Sequence, residues 1–317
     1  MSTYHLTATP LADTVQRVLA GTPLPEAAAS TGVSTADLAD AVDIYQAAGR
    51  AALQHHTGHR WYQVRIAFPD WAAAEHAVAH QLGPRLDELY HQDAIGGWWF
   101  LRKHPQWRLR FADPDITAVH RILDDFTATG GASRWWPTVY EPETTAFGGP
   151  TGIAVAHELF CADSRGVLHY LRQPRQPLGR RELSLLLLGG FLHAAGLDWF
   201  ERGDAFAKVA QLRPTAEADD GRLAMLADNV RALLAVPDTA HALFQPGGAA
   251  HHAALWHTAH TNAGQQLAAA AANGTLDRGI RAITAHIVIF HWNRLGLSAT
   301  TQGILARAAT AAFLPRS

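Results

Sequence analysis

The clearest pattern of apolar and polar positions lies between Trp61 and Phe111. Trp61 to Phe68 alternates strictly, with Val64, Ile66 and Phe68 on one side, and predicts a strand. Pro69-Asp70-Trp71 ends it, and Asp70 is placed to cap a helix from Trp71 to Gln81. Two more alternating runs flank His104-Pro105-Gln106 and predict a pair of strands joined by a tight turn. On the second of these, Trp107, Leu109 and Phe111 share one face, while Arg108 and Arg110 share the other. Further on, the pattern predicts a helix from about Ile116 to Thr127, a strand near Trp135 to Tyr140, and a polar loop from Glu141 to Gly152. The rest reads as mostly helical, over Gly152–Cys161, Arg181–His193, Gly221–Leu234 and His251–Ala272. Upstream, Leu11 to Gln54 reads as small helices. Ser34-Thr-Ala-Asp37 has the form of a capping box with Asp in place of Glu, followed by Leu38, Val42 and Tyr45 at helical spacing. His55 to His59 reads as a linker. The order is a small helical module over 1–57, then one domain over 58–317 with a strand-rich middle and a helical second half. That order argues for an α+β fold.

Composition narrows the function classes. The chain has 317 residues, 48% of them hydrophobic, which is enough for a large core. Its 26 basic and 28 acidic residues leave a net charge of -2, so no global field draws in nucleic acid or an anionic membrane. Leu24 to Ser34, with the helix behind it, has the layout of a helix-turn-helix. The would-be recognition helix, however, carries Asp37, Asp40 and Asp43, which repel phosphate. Contact with a peptide or partner suits this module better. The lone Cys161 excludes a disulfide framework and most cysteine-based metal sites. Met1-Ser-Thr-Tyr-His lacks the basic-then-apolar pattern of a signal peptide. The longest apolar run, Leu183 to Ala195, contains Gly189, Gly190 and His193 and is too short to span a bilayer. A cytoplasmic protein is expected.

Candidate chemistry concentrates around Arg102 to Arg110. Two guanidinium groups on one face of one strand repel each other unless an anionic or strongly polar partner sits between them. Surface arginines and the cationic wall of a pocket both satisfy that condition. His291, Trp292 and Arg294 follow the apolar run Ile287 to Phe290, and core-capping and pocket roles are both open for them. His257 and His260 form a His-x-x-His pair among His251 and His252. Without a nearby Cys or a His-Glu-x-x-His pattern, they read as structural, and no metal is expected. Asp198, Glu201 and Asp204 read better as a helix start, capped by Asp198, than as paired catalytic carboxylates. Gly148-Gly149-Pro150 lacks the strand–helix context of a phosphate loop and reads as a turn near the pocket.

Seven segments carry a family resemblance in order. They are Trp61-Tyr-Gln-Val-Arg-Ile, Trp99-Phe-Leu-Arg-Lys, Trp107-Arg-Leu-Arg, Tyr140-Glu-Pro-Glu-Thr-Thr-Ala-Phe-Gly-Gly149, Glu158-Leu-Phe-Cys-Ala-Asp-Ser164, Ala195-Gly-Leu-Asp-Trp-Phe-Glu-Arg-Gly-Asp204 and His291-Trp-Asn-Arg294. In this the chain resembles the thiopeptide-type bacteriocin biosynthesis family, relatives of the C-terminal elimination domain of class I lanthipeptide dehydratases. Elimination members remove glutamate from glutamylated Ser or Thr. Pyridine synthases instead join two dehydroalanines of a thiazole peptide in a formal [4+2] cycloaddition, losing water and releasing the leader peptide as an amide.

Elimination members carry an Arg before an aromatic-Gly-Gly and a His four residues before an Asn-Arg pair. Here those places hold Ala146 and Ile289, which can neither bind a carboxylate nor move a proton. The resemblance therefore implies a pyridine synthase, with a glutamate-eliminating half-dehydratase and a non-catalytic leader-binding partner as alternatives. It implies His291, Arg108 and Arg110 as catalytic residues. Arg102, Trp99, Trp107, Phe147, Gly148, Trp292 and Arg294 would contact the substrate. The reaction requires no cofactor. The implied partner is a modified precursor peptide, and a homodimer is compatible with it.

Overall fold

The computed structural model describes residues 8–57, 61–214, 220–234 and 242–314, and the chain divides into two compact units, Met1–Gly58 and His59–Ser317. In the first unit α1 (Ala8–Leu19), α2 (Leu24–Thr31) and α3 (Thr35–Thr57) close around Val15, Ala27, Ala28, Leu38 and Val42. Gly32, in the left-handed region at φ 71°, ends α2. Ser34 Oγ then accepts from the Asp37 amide at 3.0 Å, as the capping pattern anticipates. The expected linker is partly helix, because α3 runs through Thr57, and residues 58–60 lie outside the described set.

The second unit is built on a four-stranded antiparallel sheet of β1 (Trp61–Ala67), β2 (Gly97–Lys103), β3 (Gln106–Ala112) and β4 (Arg134–Thr138), in the order β2-β3-β1-β4. Asp70 Oδ1 accepts from the Ala72 amide at 2.8 Å and starts α4 (Trp71–Ala77). That helix does not stop near Gln81; it passes through a π-turn, Val78–Leu82, into α5 (Gly83–His91). Helix α6 (Ile116–Ala128) follows β3. The polar loop ends earlier than expected, at Gly148, and the helix after it is more than twice as long, α7 (Gly149–Arg172). Then come α8 (Arg180–Ala194), α9 (Trp199–Gln211), α10 (Asp220–Leu234), a short turn His251–Ala253 leading into α11 (Ala254–Ala272), α12 (Ile280–Arg294) and α13 (Ala299–Phe313). The α+β class holds. Helices α9, α12 and α13 go unmarked in the apolar pattern, and none among the described residues is long and apolar enough to cross a membrane.

Strand alternation sorts the sheet into two faces with different tasks. Val64, Ile66, Trp98, Phe100, Trp107, Leu109 and Phe111 point into a core shared with α4 to α6. The opposite face carries Gln63 and Trp99, both directly across from Arg110, and Arg65 and Leu101, both across from Arg108. Helices α7 and α12 pack against β2 on this second side, and Trp99 and Leu101 join their core. Ser164 Oγ accepts from the Phe100 amide at 3.1 Å and ties α7 to the strand.

Candidate active site

Arg110 sits 1% exposed on the second face of the sheet. Its Nε donates to Gln63 Oε1 at 2.7 Å, and its guanidinium lies 4.0 Å from the Trp99 ring and 4.5 Å from the Tyr140 ring. Tyr140 in turn pairs its hydroxyl with His157 Nε2 at 2.7 Å. Helix α12 supplies a second cation to the same cluster of rings. Arg294 is fully buried, with its guanidinium 4.3 Å from the Phe160 ring. Phe160 stacks on Phe290 at 5.1 Å, and Phe147 meets both rings edge-on. The result is a closed aromatic chamber, its rings in contact with one another around two buried guanidiniums, with half-buried Arg108 adding positive potential at Arg110.

Burying a cation is costly unless its donors are used. Arg110 Nη1 and both terminal nitrogens of Arg294 are nonetheless buried without an acceptor. Burial, first, and the neighbouring cations lower the Arg110 pKa to about 10, against the opposing pull of Tyr140 and Glu143. Donors left open in this way mark the place where a ligand oxygen would sit. Burial also raises the Tyr140 phenol above its ordinary range, so it is a neutral hydrogen-bond donor at physiological pH.

Arg294 is aimed by one carboxylate. Asp163, from α7, accepts from Arg294 Nε through Oδ2. Through Oδ1 it accepts from Trp256 Nε1 at 2.7 Å and meets His291 Nδ1 at 2.8 Å. Burial alone would raise the Asp163 pKa, but His291 and Arg294 outweigh it and hold the carboxyl well below the usual range. His291 also contacts Ser184 Oγ at 3.0 Å through Nε2, and Trp292 donates to the same oxygen at 2.8 Å.

Ser184, His291 and Asp163 thus have the connectivity of a hydrolytic triad. All three are at most 1% exposed, and the serine oxygen is occupied by Trp292, so the arrangement serves as an anchor. Asp163, His260 and His291 also bring ligand-type atoms within 4.8 Å of one another. A metal there would displace the hydrogen bonds to His291 and Trp256 and sit beside the Arg294 charge, so the donor set does not fit one.

The structure brings some of the expected site residues together and separates others. Arg110, Arg294, Trp99 and Phe147 converge, with Arg108 beside them. Arg102 and Trp107 do not, because they face the opposite core. There Arg102 pairs with Glu75, which Arg180 also holds, and lies 4.7 Å over the Trp107 ring. His291, one turn from Arg294, bonds Asp163 and Ser184, and Trp292 bonds Ser184, so both support the chamber from behind. Gly148 is a turn residue at φ 82°, where a Cβ would meet Ile283 Cδ1 at 2.4 Å. Asp198 caps α9 in a reciprocal box with Glu201, as read from the sequence. Tyr140, His157, Phe160, Phe290, Gln63 and Asp163 were missed. The signal for Asp163 was a carboxylate among apolar helix positions, three residues after Phe160.

Residues 61–313 match the family model described as the C-terminal part of lantibiotic biosynthesis dehydratases. The chain belongs to this dehydratase C-terminal family. The resemblance read from the seven segments holds, and the match covers the whole second unit from β1 to α13. Three solved structures share the dehydratase C-terminal fold. The tRNA-dependent lantibiotic dehydratase MibB from Microbispora sp. 107891 aligns with a TM-score of 0.59 and 15% identity, over 80% of this chain and 28% of its own. TsrL aligns at 0.55 and 17% identity, over 81% of this chain and 99% of its own. The pyridine synthase TbtD from thiomuracin biosynthesis aligns at 0.52 and 14% identity, over 80% and 97%. The chain thus spans little more than a quarter of MibB but nearly all of the two smaller proteins. No match is found among curated proteins.

His260 offers a check on the anchor behind the site. Burial, first, and then the cations around it push its pKa down to about 3, although Asp163 pulls the other way. The unfolded chain takes up this proton near pH 6.5 and the folded chain does not until about 3, so stability falls as pH drops through that window. Urea unfolding of wild type and His260→Gln between pH 7 and 4 should show a shallower slope in the variant, by up to about 1.4 kcal/mol per pH unit. Identical slopes would mean that His260 is not held neutral.

Proposed function

We propose that this protein is a peptide-modifying enzyme of ribosomal peptide biosynthesis, and specifically a pyridine synthase that performs the formal [4+2] cycloaddition on a leader-bearing, dehydroalanine-containing thiazole peptide. The observation that carries the reading is the aromatic chamber with two buried guanidiniums whose donors are open. Trp99, Phe147, Phe160 and Phe290 touch one another, so flat thiazole and dehydroalanine groups would have to part these rings to lie against them. The open N–H groups of Arg110 and Arg294 suit an amide oxygen that gains charge as the amide tautomerises to an azadiene. Holding both dehydroalanines together supplies on the order of 7–11 kcal/mol. Tyr140, neutral and backed by His157, is the nearest group able to donate a proton as water and the leader amide depart.

The positions that separate this reading from glutamate elimination are inert. Ile289 is 6% exposed among apolar side chains, and Ala146 packs on the same core with its carbonyl accepting from Arg278. Three cations near one chamber would nonetheless suit a glutamyl carboxylate, and that keeps elimination as a second reading. Mass spectrometry of the protein with two substrates tests both. A peptide holding two dehydroalanines should lose water and its leader as a C-terminal amide, and replacing one dehydroalanine by Ala should stop release. Free glutamate from a glutamylated peptide would overturn the proposal in favour of elimination. No reaction with either peptide would favour a leader-binding partner.

A further inference from the structure

A cavity of about 400 Å³ opens on the side of α7 turned away from the aromatic chamber. Trp256, Tyr170, Ala162 and Ala253 form its apolar walls, and Gly166 gives the Trp256 indole room: a Cβ there would fall 2.4 Å from the ring. Basic side chains gather at its rim. Arg165, His169 and Arg172 recur along α7 at one side of the helix, and His252 joins them from the turn before α11.

Few anions oppose these side chains. Among the lining residues the only acid is Asp87, on α5, and its Oδ2 is taken by Arg172 Nη2 at 3.2 Å. Arg172 Nη1 and His252 Nε2 are buried with no acceptor. Burial comes first and neighbouring cations second in holding His169 and His252 below the usual imidazole range, with Arg172 acting on the former and His169 and His251 on the latter. Two guanidiniums, of Arg165 and Arg172, thus lie next to apolar walls and open donors.

We propose that this cavity binds an organic carboxylate carried on an apolar body. The carboxylate would take the open donors of Arg172 and His252, and the body would cover Trp256 and Tyr170. A bare inorganic anion would leave those walls empty, and a neutral apolar ligand would leave the donors unpaired. The volume falls within the roughly 300–1,000 Å³ of small-molecule sites. A free acid and an acidic side chain of a peptide present the same chemistry. The inference does not depend on the reaction proposed for the chamber.

Calorimetric titration of the full chain tests it with two probes, 3-phenylpropionate and acetyl-Glu-Phe amide, each against its uncharged counterpart, 3-phenylpropionamide and acetyl-Gln-Phe amide. Both carboxylates should bind at least tenfold more tightly than their amides. Arg165→Gln and His252→Gln, whose side chains make no ion pair among the described residues, should each weaken binding at least threefold with unchanged unfolding curves. A tighter peptide assigns the site to a polypeptide ligand, and a tighter free acid to a small molecule. Equal binding of acid and amide, no binding of any probe, or loss only in Arg110→Gln would overturn the inference.

Discussion

Arg110→Gln should lower turnover of the bis-dehydroalanine peptide by about 10²–10³-fold, the range seen when one buried donor to a developing oxyanion is removed. Gln keeps a neutral donor near Gln63 but loses the charge and the fork that spans Trp99 and Tyr140. The defect should fall mainly on kcat, because the charge it meets develops only in the transition state. Arg110→Lys keeps the charge without the planar fork and should recover only part of the rate. Wild-type turnover in Arg110→Gln, with an intact fold, would place the reaction elsewhere.

Asp163→Asn should reduce stability at pH 7 by about 3–5 kcal/mol, because it leaves the fully buried Arg294 charge uncompensated. The amide would also set one of its N–H groups against a donor from Arg294, His291 or Trp256. Linkage fixes how the gap depends on pH. A carboxyl held below its unfolded value of 3.8 contributes in full above that value, and its contribution fades as pH falls through the folded one. Urea unfolding should therefore show the gap between wild type and variant intact at pH 7 and 5, closing only below about pH 4. A gap under 1 kcal/mol at pH 7 would mean that the Asp163 contacts are not formed.

Strand alternation around Arg108 and Arg110 was legible in the sequence, because a period of two leaves no choice about which residues share a face. The same periodicity, carried back to β2, already separates Arg102 from Trp99. Arg102 was grouped with the site by its nearness in sequence, whereas in a strand an odd offset means the opposite face. Helices α12 and α13 escaped notice because both are apolar around most of their circumference, so no stripe stands out. His291 shows another limit. A helix position adjoining an apolar run can face either a chamber or the packing behind it, and only the partner side chains decide. Those partners, Asp163 and Ser184, lie 128 and 107 residues away. Asp198 was readable from local spacing alone, since both halves of a capping box lie within four residues.

Asp163 joins residues of α11 and α12 to α7, and through His291 it reaches α8. Such an arrangement couples the evolutionary fates of distant positions. A lineage that loses the carboxylate cannot keep Arg294 without a new counter-charge, and one that replaces Arg294 leaves a buried anion behind. Substitutions at 163, 256, 291 and 294 should therefore arise together or not at all among descendants of this sequence.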